Sequence, residues 1–190
     1  MKKDVVDSQN QKVRRHLPVW IFLTAFIILG VFLGIMAAGY ARSVRVALSP
    51  GEKLPELSLT SFTGTTYHSM DLKNKVVVIH FWASWCQTCE EEMRSFEEIW
   101  QQYKKSDQFM ILGVDYVDTE VQALPYLKRL GITYPNGPDL QMKLAETFRV
   151  TGVPETFIFD RSSHLAFYKI GPFASVSEIK GVIEPLLVRE

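Results

Sequence analysis

Residues 80–89, HFWASWCQTC, hold both cysteines of this 190-residue chain, separated by only two positions. A thiolate attacks disulfides and binds metals, so two thiols at this spacing admit four uses. A zinc site normally needs four ligands, and there is no second C-x-x-C while the histidines at 16, 68, 80 and 164 are scattered. Covalent haem attachment needs histidine directly after the second cysteine, where this chain has Glu90. A structural bridge stays open as an alternative, although so short a loop removes little unfolded-state entropy. The fourth use is a redox-active dithiol.

The elements around the pair favour that use. KVVVIHFW, residues 75–82, is a β-branched run of the kind buried on both faces of a sheet. From Glu90 the period becomes helical, with Met93, Phe96, Ile99, Trp100 and Tyr103 on one face. Cys86 is therefore expected at a strand-to-helix junction, where unsatisfied N–H groups and the helix dipole stabilise a thiolate. Cys89, one turn further in, is placed to attack a mixed disulfide and release the product. The first thiol is expected exposed and the second shielded. Glu90, Glu91 and Glu92 suit the helix dipole but bring negative charge to the thiols. The expected balance is a Cys86 pKa lowered only moderately, in a protein that donates electrons.

The 21 basic residues match 21 acidic ones, so no overall field favours nucleic acid. The apolar residues are concentrated at residues 17–41, LPVWIFLTAFIILGVFLGIMAAGYA, which carry no charge. Twenty helical residues span about 30 Å, the thickness of a bilayer core. Lys2, Lys3, Lys12, Arg14 and Arg15 precede the stretch, which places the N-terminus in the cytoplasm. A cleaved signal peptide is the alternative, but its apolar core is usually only about 7–15 residues. The expected division is a cytoplasmic tail at 1–16, an anchor at 17–40, a linker at 41–53 and one soluble domain at 54–190.

Within that domain, ELSLTSF and TTYHSMDL flank Gly64 as a hairpin, and FMILGV is a second buried strand. Asp118 is read as the cap of a helix carrying Val121, Leu124, Leu127 and Leu130, stopped by Gly131. PNGPD, residues 135–139, reads as a loop and LQMKLAETF as a short helix. TFIFD and LAFYKI are two further strands, and Ser175 with Glu178 forms a capping box before a final helix. The alternation predicts an α/β fold with a largely parallel core and an antiparallel edge.

FWASWCQTC and TGVPETFIFD together resemble the active-site and cis-proline segments of the thioredoxin superfamily. The V-P-E-T-F form, the N-terminal apolar stretch and LGVDYVDTEVQALPYLKRLGITYP are most similar to the CcmG/DsbE branch, related to TlpA and ResA. The resemblance covers residues 54–190. It implies a thioredoxin-like fold, a central mixed sheet with helices on both faces, preceded by a single transmembrane helix. It implies a protein-disulfide reductase, with the redox-active disulfide Cys86–Cys89 in place of any cofactor or metal. The implied setting is the bacterial inner membrane, with the soluble domain facing the periplasm. The implied partners are apocytochrome c or its maturation chaperone and a transmembrane electron donor of DsbD/CcdA type.

Residue by residue, Cys86 would attack and Cys89 would resolve. Trp85 would cover the dithiol, while Val153 and a cis Pro154 would hold the substrate backbone. Glu155 would stand near the thiols, shuttling a proton or restraining thiolate formation, or else be a solvated glutamate at a strand edge. His80 departs from the pattern, standing where thioredoxins carry a buried aspartate and TlpA-like relatives commonly asparagine; it either takes a proton from Cys89 or fills its place. A general exported reductase and a non-enzymatic docking module would share these motifs. A peroxidase would place threonine or serine where Ala83 stands.

Overall fold

The computed structural model describes residues 19–43 and 48–188. They fall into two units that divide after Arg45. In the first, α1 (Val19–Ser43) is one helix of 25 residues, with Trp20, Phe26, Ile28 and Ile35 among its exposed side chains. Among the described residues no helix is long and apolar enough to cross a membrane. The side chains of α1 are described over residues 20–36, so the expected anchor at 17–40 extends past them. The expected cytoplasmic tail lies outside the described residues.

The second unit is built on a five-stranded sheet of order β5-β4-β3-β6-β7. Its strands are β3 (Val76–Trp82), β4 (Phe109–Tyr116), β5 (Asn136–Asp139), β6 (Glu155–Phe159) and β7 (Leu165–Ile170). β3, β4 and β5 run parallel, whereas β6 and β7 are antiparallel. A separate hairpin joins β1 (Ser58–Thr60) to β2 (Thr66–His68). The central strand β3 is buried along its whole length, as its β-branched composition requires of a strand covered on both faces.

The alternation along β3 sorts the core into two layers. Val77, Ile79 and Phe81 face Leu144, Ala145 and Phe148 of α4 (Lys143–Phe148). Val76 and Val78 face Phe96 and Ile99 of α2 (Cys89–Tyr103) and Ile179 and Ile183 of α5 (Val176–Val188). At the end of that second layer, Trp82 packs with both cysteines and with Ala123, Tyr126, Leu127 and Leu130 of α3 (Glu120–Leu130).

Five expectations need correction. The domain begins before Leu54: Leu48 is buried in the core, and Gly51 and Glu52 exchange backbone hydrogen bonds with Leu165. Residues 48–53 are thus part of the domain rather than of a linker. PNGPD is not all loop, because Asn136–Asp139 pairs with β4 as an edge strand, where proline's missing N–H costs no ladder bond. Gly137 lets the β1 end of the hairpin approach this strand, since a Cβ there would stand 2.3 Å from the Thr60 carbonyl oxygen.

Asp118 does not cap α3, whose N-cap is Thr119; its carboxylate is used elsewhere. The buried face of α3 is also rotated from the expected one, with Ala123, Tyr126, Leu127 and Leu130 inside while Val121 is 84% exposed and Leu124 41% exposed. The final helix has half of its capping box. The Glu178 N–H donates to Ser175 Oγ, but the Glu178 carboxylate takes the Ala174 N–H and Lys169 instead.

Candidate active site

β3 ends at Trp82, and the chain turns through residues 83–88 before α2 begins at Cys89. Backbone bonds from Cys86 N–H to Ala83 O and from Cys89 N–H to Cys86 O close the turn. Cys86 and Cys89 form a disulfide of 2.04 Å, with Cα atoms 5.4 Å apart. Cys89 has no exposed surface and Cys86 retains 6%. The outer and inner thiols are thus ordered as expected, but Cys86 is nearly covered because Trp82, Ala83, Met93 and Val153 pack around the pair. Trp85, expected to cover the dithiol, stands 57% exposed, while the wholly buried Trp82 packs in the cysteine cluster. The Thr88 hydroxyl lies 3.5 Å from Cys86 Sγ, within reach to donate to a thiolate.

Two bracing contacts fix the turn. The Ser84 N–H donates to Asp118 Oδ2 at 2.8 Å, which ties the β4–α3 loop to the cysteine loop. Next to Asp118, the exposed Val117 has φ of 51°, an outlier for a β-branched residue. On the other side, Trp82 stacks on Tyr126 with centroids 5.6 Å apart, and Arg129 lies over the Tyr126 ring at 5.1 Å. The Trp82 Nε1–H donates to Asn136 Oδ1 at 2.8 Å. Gly113 makes room for that bond, since a Cβ there would stand 1.8 Å from Asn136 Oδ1.

The charge of Glu90 is not free to oppose a thiolate. Arg129 grips both of its oxygens, at 3.0 and 2.9 Å, and Arg94 adds a third contact at 3.1 Å. Hydrogen bonds from Arg129 and then Arg94 hold the Glu90 carboxyl below its ordinary pKa. The expected repulsion is offset by two guanidinium groups that sequence reading left out of the account.

His80 and Glu92 meet between β3 and α2, and neither has any exposed surface. His80 Nδ1 lies 3.1 Å from Thr156 Oγ1 and 3.7 Å from Glu92 Oε2, and its ring packs on Phe96 with centroids 5.0 Å apart. The separation is that of an ion pair, but desolvation favours the neutral forms of both. Burial pushes the imidazole down to about 3. Burial likewise lifts Glu92 to about 8, against the opposing effects of the Phe173 N–H and Lys169. We therefore read the contact as neutral imidazole beside carboxylic acid. Glu92 Oε1 accepts from the Phe173 N–H at 3.1 Å, whereas Oε2 and His80 Nε2 have no hydrogen-bond partner. Glu92 stands one helical turn from Cys89 and shares its buried face.

Asp115, level with Trp82 in the sheet register, is a second buried acid. Neither of its oxygens is hydrogen-bonded, and burial, then the charge of Asp118, pushes it up to about 8. Among the described residues, no three His, Cys, Asp or Glu side chains are grouped to hold a metal ion.

The Val153–Pro154 peptide is cis, as expected, and Val153 packs against the cysteine cluster. Glu155 follows it but is neither solvated nor at an open edge: it is wholly buried and pairs with Phe81 and Ile170 on its two sides. Its Oε1 accepts from the Thr151 N–H, the Thr151 hydroxyl and the Gly152 N–H, and its Oε2 from the Tyr168 hydroxyl.

The structure thus brings Cys86, Cys89 and Val153 together and places His80 on the α2 face of β3. Sequence reading missed Asp115, Thr88 and Arg129, and took Glu92 for a charged residue of the helix start rather than a buried acid. Only Glu92 carried a readable signal: with Cys89, Met93, Phe96 and Ile99 it falls on the buried stripe of α2.

The AhpC/TSA family profile matches residues 50–168. The thiol-disulfide oxidoreductase ResA of Geobacillus kaustophilus is 29% identical over 121 residues, spanning 64% of this chain and 69% of that protein. The thiol:disulfide interchange protein HelX of Rhodobacter capsulatus is 31% identical over 172 residues, spanning 85% of this chain and 94% of that protein. Among solved structures, a thioredoxin-family thiol:disulfide interchange protein from Chlorobium tepidum superposes with a TM-score of 0.66 at 24% identity, over 74% of this chain and 99% of that one. With its thioredoxin-like sheet and the Cys86–Cys89 disulfide at the head of α2, the chain belongs to the AhpC/TSA family and is a thiol:disulfide oxidoreductase of the ResA and HelX type.

Proposed function

We propose that this protein is a membrane-anchored disulfide reductase of cytochrome c biogenesis, facing the periplasm from the bacterial inner membrane. The observation that carries this reading is the extent of the HelX match, which spans 85% of this chain. The unit Val46–Glu190 alone makes up about three quarters of it, so the likeness reaches back into the residues of α1, which supports a tethered plan. The uncharged stretch at 17–41 and the basic residues before it support the same topology. The pathway rests on the CcmG/DsbE resemblance of the V-P-E-T-F segment and of residues 112–135.

The chemistry conserves electrons within the two proteins. The Cys86 thiolate attacks one sulfur of a client disulfide, forming a mixed disulfide and expelling one client thiolate. Cys89, deprotonated, attacks Cys86 Sγ; the mixed disulfide breaks, the second client thiolate leaves and Cys86–Cys89 closes. Two electrons pass to the client, and its two thiolates take up two protons. The client is the C-x-x-C-H disulfide of apocytochrome c, free or held by a maturation chaperone. A transmembrane dithiol donor of the DsbD/CcdA type returns the pair to its reduced state.

Trapping tests this. Cys89→Ala expressed in native membranes should accumulate mixed disulfides with a c-type apocytochrome or its maturation factors. Recovery of unrelated exported proteins alone would replace the pathway with general reductase activity. Insulin reduction that is absent, and indifferent to Cys86→Ser, would leave only a docking module.

A further inference from the structure

Val153 is the residue that presents backbone to a client, and its own N–H and C=O make no hydrogen bond among the described residues. Its surroundings are fixed on both sides. Downstream, the Pro154 carbonyl accepts the Gly171 N–H at 2.9 Å, and Glu155 is locked between β3 and β7. Upstream, the Glu155 side chain folds back onto the two residues before Val153. Its Oε1 takes the Thr151 N–H at 2.8 Å, the Thr151 hydroxyl at 2.7 Å and the Gly152 N–H at 3.0 Å. Its Oε2 is held at 2.8 Å by Tyr168, whose ring stacks on Phe157 with centroids 4.7 Å apart. Backbone and side chain together close a ring around one free peptide group.

All four contacts are donations to the carboxylate, and three of them crowd a single oxygen. A proton shuttle would need an oxygen open toward the thiols, whereas these donors turn the carboxylate back on its own loop. We propose that Glu155 is a positioning residue that presets the Val153 backbone to pair with an extended, disulfide-bearing peptide, and that it does not exchange protons with the dithiol. Preorganisation of this kind lowers the entropy lost when the client strand docks. A client lacking a peptide backbone gains nothing from it. The inference rests on the oxidoreductase reading of Cys86 and Cys89.

The test compares two substrates of the full-length chain: insulin, which offers a peptide backbone, and hydroxyethyl disulfide, which does not. Glu155→Ala should raise KM for insulin about tenfold with kcat nearly unchanged, roughly the weight of one lost charge-assisted contact set. Its rate with hydroxyethyl disulfide should stay within about twofold of the parent, because that reaction reads the dithiol alone. Glu155→Gln should recover most of the insulin KM. Its amide oxygen can accept from Thr151 and Gly152, and its amide N–H can donate to the Tyr168 oxygen.

A proton-transfer role predicts the opposite, with glutamine and alanine equally impaired on both substrates and one limb of the pH–rate profile lost. That result would overturn the proposal. So would an insulin KM unchanged in every variant. Should Glu155→Ala fail to fold, Thr151→Val and Tyr168→Phe each remove one donor and should show the same split at about two- to threefold. A parent chain inactive on hydroxyethyl disulfide would instead defeat the redox reading itself, a failure visible before any variant is made.

Discussion

Each face of the central sheet buries one glutamate, and the two are accommodated in opposite ways. On the α4 face, Glu155 lies in line with Phe157 and Phe159 and has four donors in place of lost water. On the α2 face, Glu92 has one backbone donor, an unbonded Oε2 and a histidine 3.7 Å away. Burial penalises a charged carboxylate unless donors replace its water. Glu92 meets that cost by holding its proton up to about pH 8. Burial is complete at both residues, but the number of donors around them differs. One glutamate shapes the loop that meets the client, and the other is an acid one turn from Cys89.

The largest expected effect breaks the satisfied side. Glu155→Ala strands the Thr151 and Gly152 N–H groups and the Tyr168 hydroxyl, and should cost about 2–4 kcal/mol in urea unfolding of the oxidised protein. Glu92→Gln at pH 6 removes a group already protonated and should cost less than about 1 kcal/mol. Equal losses would mean that donor count does not distinguish the two sites.

The next effect is a pH dependence that only the α2 face supplies. Glu92 and Asp115 both have folded pKa values raised to about 8, so the folded chain keeps protons that the unfolded chain has lost. Their contribution is complete below the ordinary carboxyl range and is lost as pH rises through about 8. His80 acts in the other direction: lowered to about 3, it supports stability above the ordinary histidine range, and that support is lost on acidification. Between pH 6.5 and 8 the two acids act alone, and stability should fall by roughly 1 kcal/mol per pH unit for each. Glu92→Gln should remove about half of that slope. A flat stability curve over this interval in the parent protein would show that neither acid holds its proton.

The sequence made one side of this comparison far easier to read than the other. β3, the cysteine turn and the antiparallel β6–β7 pair follow from local signals such as a β-branched run and C-x-x-C at a change of period, whereas the cis proline follows from the resemblance of TGVPETFIFD to the thioredoxin superfamily. Glu92 was on the page as well, because its spacing from Cys89, Met93 and Phe96 puts it on the buried stripe of α2. Its place in a run of three glutamates disguised it as a solvated helix start. The four donors to Glu155 were not readable, since Tyr168 comes from the neighbouring strand and the Thr151 and Gly152 groups meet the carboxylate only through the fold of the loop. β5 was hidden for a related reason. Its residues carry turn chemistry, and their pairing with the distant β4 is what makes them a strand.

The smallest expected effect concerns a third glutamate, handled in yet another way. Glu90 is partly exposed, and its charge is balanced neither by buried donors nor by a proton but by Arg129 and Arg94. Exposed pairs add little to stability, so Arg129→Ala should leave the thermal midpoint almost unmoved. Its effect should appear at the thiol instead. With Arg129 gone, Glu90 presents more of its charge to the helix start, and the Cys86 pKa, read from the pH dependence of alkylation, should rise. Glu90→Gln should lower it by removing the same charge. Both shifts should shrink in high salt, because the groups are exposed to solvent and screened by it, whereas the acid one turn from Cys89 is shielded from salt. A Cys86 pKa that responds to neither substitution would show that neither the guanidinium pair nor Glu90 acts at the sulfur, which leaves the helix dipole and the Thr88 hydroxyl as the groups that set it.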